Sequence, residues 1–382
     1  MDLRYGVNPH QVPAVAEVAE HVPFRVLNGD PSYINLLDAL SAWQLVREAR
    51  IALGRPAAAS FKHVSPAGAA VSGSVDPLMV DLYSIDDHPG PLTAAYVRAR
   101  DADPRSSFGD FVAVSEPVDV ELAGLLGRLV SDGIIAPGFE PGALAPLSRK
   151  KSGRYLVLEA DPSYEPPPFE AREVFGVRLR QPRDAFPITS ELLADVRCGS
   201  LTPTATKDML LGMIVLRYTQ SNSVAFVLNG MTLGVGAGQQ SRVDCTKLAG
   251  EKARIWWMRR HPAMAGFPFR PDVRLLDRVN WAIRWIEGDL TEPEDRLLDR
   301  ATSARPRSIG TEERAAWLGG LHGLTFVSDG FIPFRDNIDH AHLYGARYVA
   351  EPGDSIRSED VIAACAEYGM TLVHTHLRLF HH

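Results

Sequence analysis

Cysteine is scarce in this sequence. Its 382 residues include three, Cys198, Cys245 and Cys365, set far apart and forming no CxxC pair. Neither a disulfide framework nor a thiolate zinc site is expected from such usage, which fits a reducing cytoplasm. Long apolar runs are missing as well. No uninterrupted stretch approaches the roughly 20 residues of a membrane span, and the opening "MDLRYGVNPHQVP" lacks the apolar core of a signal peptide. A soluble cytoplasmic protein with no membrane partner is expected. Positive charge is not in excess, since 40 Lys and Arg against 47 Asp and Glu leave a net charge of -7. That balance argues against a nucleic-acid partner, and an anionic ligand would have to be met by local basic groups.

Several cofactor motifs are absent too. There is no GxxxxGK[ST], so a P-loop is out, and the HxE and PCxxC of zinc deaminases are both missing. "GVGAGQQ" (Gly234 to Gln240) begins with GxG spacing, but Gln239 stands where a third glycine belongs, and the preceding segment reads as a hairpin. The glycine-rich turn can let backbone approach a ligand, but neither NAD nor zinc is expected.

What is present alternates between strand-like and helix-like segments, the pattern of an α/β protein. Phe24 to Leu27 reads as a strand, followed by a turn at Asn28-Gly29-Asp30. Ser32 then suits the cap of a helix with the stripe Leu36, Leu40, Trp43 and Val46. "DFVAVS" (Asp110 to Ser115), "GIIAP" (Gly133 to Pro137) and Tyr155 to Leu158 read as further strands. The basic turn in "LSRKKSGRYLVLEA" reads as a solvated one.

The three consecutive prolines of "EADPSYEPPPFEA" (Glu159 to Ala171) mark a linker and the main boundary. Beyond it a helical pattern is expected up to about Tyr218. A hairpin turning on Asn229-Gly230 follows, and then a helix from about Arg242. Residues from about Arg260 to Leu321 look like a charged helical insertion, with "TEPE" (Thr291 to Glu294) as a capping box. The closing stretch reads as a βαβ unit whose helix runs from about Ser358 to Tyr368. The expected units are residues 1–168, 169–259, 260–321 and 322–382, and no short-period repeat is visible.

The most pointed stretch is "SFKHVSPAG" (Ser60 to Gly68). A buried strand is expected to end at Lys62-His63, and a helix is expected to start at Ser65 (cap) and Pro66 (first position). That would place the pair where open α/β sheets bind ligands. Both side chains can line one pocket only if the strand has broken there, because strand neighbours face opposite ways. A solvent-exposed pair without chemistry is the alternative. Other polar clusters fall on expected loops, namely "RYGVNPHQ", "SSFGD", "YTQSNS", "GAGQQSR", "FIPFRDN" and "LRLFHH". Together they supply arginines, aromatic rings, amides and a Lys-His pair, an inventory suited to a small anionic heterocycle.

These motifs resemble those of AICAR transformylase, the folate-dependent formyltransferase of late purine biosynthesis. That activity usually forms the C-terminal part of a bifunctional protein whose N-terminal part is IMP cyclohydrolase. The likeness runs in order through "LRYGVNPHQ", "SFKHVSPAGAA", "SSFGDFVAVS", "VSDGIIAPG", "YTQSNSVAF", "GVGAGQQSRVDCTKLAGEKA", "IPFRDN" and "HLRLFHH". It implies two tandem cytidine-deaminase-like α/β/α subdomains with a small helical insertion, and a homodimer with shared active sites.

The resemblance assigns Lys62 and His63 as the catalytic pair and Asn222 as an amide near the formyl group. It places Arg4, Tyr5, His10, Gly109, Asp132, Arg242, Arg378 and Phe380 around the nucleotide. Pro333, Phe334, Asp336 and Asn337 fall on the folate side. Val215, Thr219, Ser221, Ser223, Asp329, Leu379 and His381 resemble a structural potassium site. The implied reaction moves a formyl group from 10-formyltetrahydrofolate to the 5-amino group of AICAR. The chain opens only a few residues before "RYGVNPHQ", so ring closure by a separate IMP cyclohydrolase is expected. His376 stands where the family pattern suggests Asn, and Gly330 and Ile332 alter the approach to "PFRDN". A paralogue formylating an AICAR-like nucleotide and a non-catalytic purine- or folate-binding protein are the alternatives.

Overall fold

The computed structural model of the chain describes residues 1–17 and 21–382. Its centre is one twelve-stranded mixed sheet with helices on both faces, an α/β fold. The first half supplies β1 (Phe24–Asn28), α1 (Tyr33–Leu53), β2 (Ala57–Lys62), β3 (Ser65–Val71), α2 (Pro77–Tyr83), α3 (Pro91–Asp101), β4 (Asp110–Val114), α4 (Val120–Arg128), β5 (Ser131–Ala136), α5 (Leu144–Arg149) and β6 (Leu156–Ala160). The second supplies β7 (Asp195–Cys198), α6 (Pro203–Arg217), β8 (Val224–Leu228), β9 (Met231–Gly236) and α7 (Arg242–Met258). Helices α8 (Leu275–Glu287), α9 (Glu292–Ala301) and α10 (Thr311–Leu318) come next. The chain closes with β10 (Leu324–Ser328), α11 (Asp336–Leu343), β11 (Ala346–Glu351), α12 (Ser358–Glu367) and β12 (Thr371–His374).

The strand order is β7-β12-β11-β10-β8-β9-β3-β2-β4-β5-β6-β1. Each half therefore repeats one topology, because adding six to every strand of the first half gives the order of the second. The halves meet where β9 runs antiparallel to β3, with Met231 opposite Ala70. Helices α1 and α6 pack on one face, and α3, α4, α5, α7, α11 and α12 cover the other, with a separate apolar core under each layer. The duplication reaches single residues. A Cβ on Gly68 of β3 would lie 2.2 Å from the Ala99 carbonyl of α3, and one on Gly234 of β9 would lie 2.1 Å from the Ala249 carbonyl of α7. Only glycine lets each helix settle that close to its strand.

Local chemistry explains most of the elements read from the sequence. Ser32 caps α1 in a reciprocal box with Asn35, and Thr291 does the same for α9 with Glu294. Asn229 and Gly230, with φ of 52° and 76°, form the two-residue turn between β8 and β9. The closing βαβ unit is β11-α12-β12, with its strands parallel.

Three expectations need correction. Ser65 and Pro66 do not start a helix; they open β3, which pairs antiparallel with β2. The reason is the turn at His63 and Val64, where φ of 52° and 59° folds the chain straight back into a hairpin. Pro66 sits where the register shifts after Ser60, so its missing N–H costs little there. Second, the helical pattern expected after the prolines begins only at Pro203. Before it come an antiparallel hairpin, Phe169–Val174 with Val177–Pro182, and then β7. Third, the basic turn at Lys150-Lys151 is not simply solvated, as its contacts below show.

Candidate functional site

Strand directions gather the motifs on one edge of the sheet. The β2–β3 turn, the starts of β4, β5 and β8, and the ends of β9, β10, β11 and β12 all lie there. Lys62 is the last residue of β2, and His63 is exposed at the first position of the turn. The half-buried Lys62 ammonium donates to the Phe108 and Gly109 carbonyls at 3.1 and 3.0 Å. Val64 is held at the second turn position with positive φ, a costly place for a β-branched residue, worth about 1–3 kcal/mol.

The basic turn after α5 reaches the same edge. Lys151 Nζ lies 2.6 Å from the Asp132 carboxylate, and Lys150 Nζ donates to Ser131 Oγ at 2.6 Å above the Tyr155 ring. Burial pulls the Lys150 ammonium down to about 7. At the chain start, Arg4 reaches Asn35 of α1 at 3.3 Å and lies 5.3 Å from the Tyr5 ring. The Tyr5 carbonyl accepts from Tyr33 N–H, which ties this segment to the beginning of α1. His10 is exposed in a turn.

The second cluster centres on Asp329, which is fully buried beyond the end of β10. Its carboxylate pairs with Arg242 at the start of α7 and accepts from Ser221 Oγ, Ser223 N–H and Ser223 Oγ. The same guanidinium donates to Ser328 Oγ and to Asn222 Oδ1, at 2.9 and 2.8 Å. The Asn222 amide nitrogen donates to the Gln239 and Gln240 carbonyls, so both ends of that side chain are fixed. Arg242 is thus a strut for Asn222, whereas Arg4 and Arg378 are exposed at the same edge. Arg378 lies 4.7 Å from the half-exposed Phe380 ring.

The two clusters touch through Gln220 N–H and Ser65 Oγ, 3.4 Å apart, which joins the hairpin bearing His63 to the loop bearing Asn222. On the far side, Asn337 is buried, accepts from Thr246 Oγ1 and donates to Asp336, while Pro333 and Phe334 remain accessible. The buried Glu351 carboxylate accepts from Ile332 N–H at 2.9 Å, which anchors that segment. His376, at φ of 54° where Asn fits more easily, is held by Asp195 at 2.9 Å.

The residues resembling a potassium site are knitted together. Thr219 Oγ1 donates to the Val215 carbonyl, Leu379 N–H to the Asp329 carbonyl, and Ser221 N–H to the His381 carbonyl. The set is hydroxyls and carbonyls around one carboxylate already balanced by Arg242. Such neutral oxygen-rich donors fit a monovalent cation better than a divalent one. Among the described residues no cluster of three or more His, Cys, Asp or Glu side chains forms a metal site. Among the described residues no helix is long and apolar enough to cross a membrane.

Sequence reasoning missed four side chains at this edge, namely Asn35, Asp38, Lys150 and Lys151. Asp38 left one signal, a lone acid in the apolar run "INLLDALSAW".

Fold and edge together define a duplicated α/β scaffold that gathers, on one sheet edge, groups able to bind a small anionic molecule. The chain belongs to the AICARFT/IMPCHase bienzyme family, whose model matches residues 1–252. It is 31% identical along its whole length to a bifunctional purine biosynthesis protein PurH of Magnetococcus marinus, and 30% identical to that of Roseobacter denitrificans. The chain spans 59% of the length of each relative.

Proposed function

We propose that this protein is a formyltransferase of purine biosynthesis, moving the formyl group of 10-formyltetrahydrofolate to the 5-amino group of AICAR. The observation that carries the reading is the Lys62-His63 pair at a sheet edge linked through Ser65 and Gln220 to the fixed amide of Asn222. The 5-amino group is a weak nucleophile because its lone pair is delocalised. His63 takes its proton as the nitrogen bonds to the formyl carbon. Lys62 and Asn222 stabilise the oxyanion that forms on the formyl oxygen. The bond to the folate N10 then breaks, the proton held by His63 passes to N10, and tetrahydrofolate and formyl-AICAR leave.

Arg4 and Arg378 suit the nucleotide phosphate, with Tyr5 and Phe380 beside the ring. Pro333, Phe334, Asp336 and Asn337 take the folate side, and K+ braces the loop around Asp329. A cytoplasmic homodimer is the working form. The exposed hairpin of residues 169–182 offers surface to a second copy, since a two-stranded ribbon is marginal alone in water. Its Glu170 and Arg172 lie near His381, so that surface is continuous with the site edge.

The test is to incubate the protein with AICAR and 10-formyltetrahydrofolate, following tetrahydrofolate release and product mass. Formyl-AICAR accumulating without IMP supports a transformylase lacking cyclohydrolase activity. IMP would overturn the second clause, and absence of turnover with AICAR bound would overturn the first.

A further inference from the structure

The duplication supplies an internal control for the turn that carries His63. Asp38 stands five residues into α1, and Asp208 stands five residues into α6. Asp38 Oδ1 accepts from Val64 N–H at 2.6 Å, in the β2–β3 turn. Asp208 accepts from Asn229 and Gly230 N–H at 2.9 and 2.6 Å, in the β8–β9 turn. The same helix position thus fastens the same hairpin turn in both halves. The antiparallel relation of the halves puts the two turns on opposite edges of the sheet.

The two turns differ in what they cost. Asn-Gly takes up positive φ with ease, whereas the β-branched Val64 of His-Val does not. A turn under strain needs a partner that overrides its preference for other shapes. We propose that Asp38 is a positioning residue, whose hydrogen bond to Val64 N–H locks the strained turn that presents His63 to the site. This rests on the formyl-transfer reading for its consequence, but the lock itself is a property of the fold. The groups facing the Asp38 carboxylate are Lys62 and His63 of the hairpin and Asp132 of β5, and Arg4 reaches Asn35 one turn earlier on α1. Burial outweighs the lowering by the Val64 N–H, His63 and Lys62 and pushes the Asp38 carboxyl up to about 6. The lock is a hydrogen bond accepted by one side-chain oxygen, which an asparagine also supplies.

The test compares Asp38→Ala, Asp38→Asn and Asp208→Ala in the full chain. Asp38→Ala is expected to lower kcat at least tenfold with the KM for AICAR unchanged, and Asp38→Asn to restore it to within threefold. Asp208→Ala is expected to lose comparable stability with kcat unchanged. Equal kcat values in the two alanine variants would overturn the proposal, as would an asparagine variant as impaired as the alanine one. If Asp38→Ala does not fold, Asp38→Ser takes its place, with the same outcomes.

Hydrogen exchange at the Val64 amide needs no reaction. It should speed up at least tenfold in the truncated variant and stay slow in Asp38→Asn. Unchanged exchange sinks the lock whatever the enzyme turns over. Absent wild-type turnover with the exchange result intact sinks only the functional reading.

Discussion

Arg242 and Asp329 form a buried pair at the centre of the second cluster, their side chains 6% and 0% exposed. Removing one partner of such a pair leaves an uncompensated charge, typically at a cost of about 3–5 kcal/mol. Asp329 keeps three serine-derived donors, so Arg242→Ala is expected near the lower end, about 3 kcal/mol by urea unfolding. The same change frees Asn222 Oδ1, so turnover should fall beyond what instability explains. A variant with a normal rate and lost stability would show that the strut has no bearing on Asn222.

Gly330 lets that pair approach the aromatic end of the chain. A Cβ there would lie 2.6 Å from Arg242 Nη2 and 2.7 Å from the Phe380 ring. Gly330→Ala must displace one or the other, at about 1–3 kcal/mol for overpacking. The expected signature is a raised KM for the nucleotide with the unfolding transition still cooperative. An unchanged KM would mean that neither neighbour contributes to binding.

Acid titration of Asp208 gives a prediction with a definite sign. Burial raises its carboxyl from 3.8 to about 6, against the weaker lowering by the Gly230 and Asn229 N–H groups and Arg98. Between those values the folded chain holds a proton that the unfolded chain has released, so stability falls as pH rises through the window. The full effect is on the order of 3 kcal/mol. Asp208→Asn cannot ionise, so its stability relative to wild type should improve from pH 4 to pH 7. Parallel pH profiles from urea melts at those two values would contradict the burial argument.

The fold was legible wherever a local rule acted alone. The Ser32 cap, the Asn229-Gly230 turn, the Thr291 box and the final βαβ unit all follow from neighbours in sequence. The misreading at Ser65-Pro66 came from a local rule overridden by pairing. The dipeptide suits a helix start, but Asp38, 26 residues earlier, holds Val64 in a conformation its own side chain disfavours. The same distance effect hid Lys150, whose partner Ser131 lies 19 residues away on a neighbouring strand. The candidate residues stand far apart in the sequence, and their links, Arg242 to Asn222 and Gln220 to Ser65, arise only in the folded sheet.

Deleting the 169–182 hairpin tests the proposed second copy. All twelve residues of its strands are exposed, so its removal gives up almost no intrachain burial. Replacing it with a short Gly-Ser bridge should leave thermal unfolding nearly unchanged while light scattering shifts from dimer to monomer. A dimer that survives the deletion would place the contact elsewhere.

His63 is where stability and function should part most clearly. It is exposed and makes no side-chain hydrogen bond among the described residues, so substitution removes little packing, and exposed changes usually stay within about 0.5 kcal/mol. Its φ of 52° is one that Asn adopts more readily than His. His63→Asn should therefore unfold at or above the wild-type midpoint. Turnover should nevertheless fall by about 10²–10⁴, the worth of a general base, since an amide cannot take the proton of the amino group. Nucleotide affinity by calorimetry should hold, because the proposed phosphate and ring contacts come from other residues. A stable variant that still turns over would remove His63 from the proton path and leave Lys150, lowered to about 7 at the same edge, as the next base to examine.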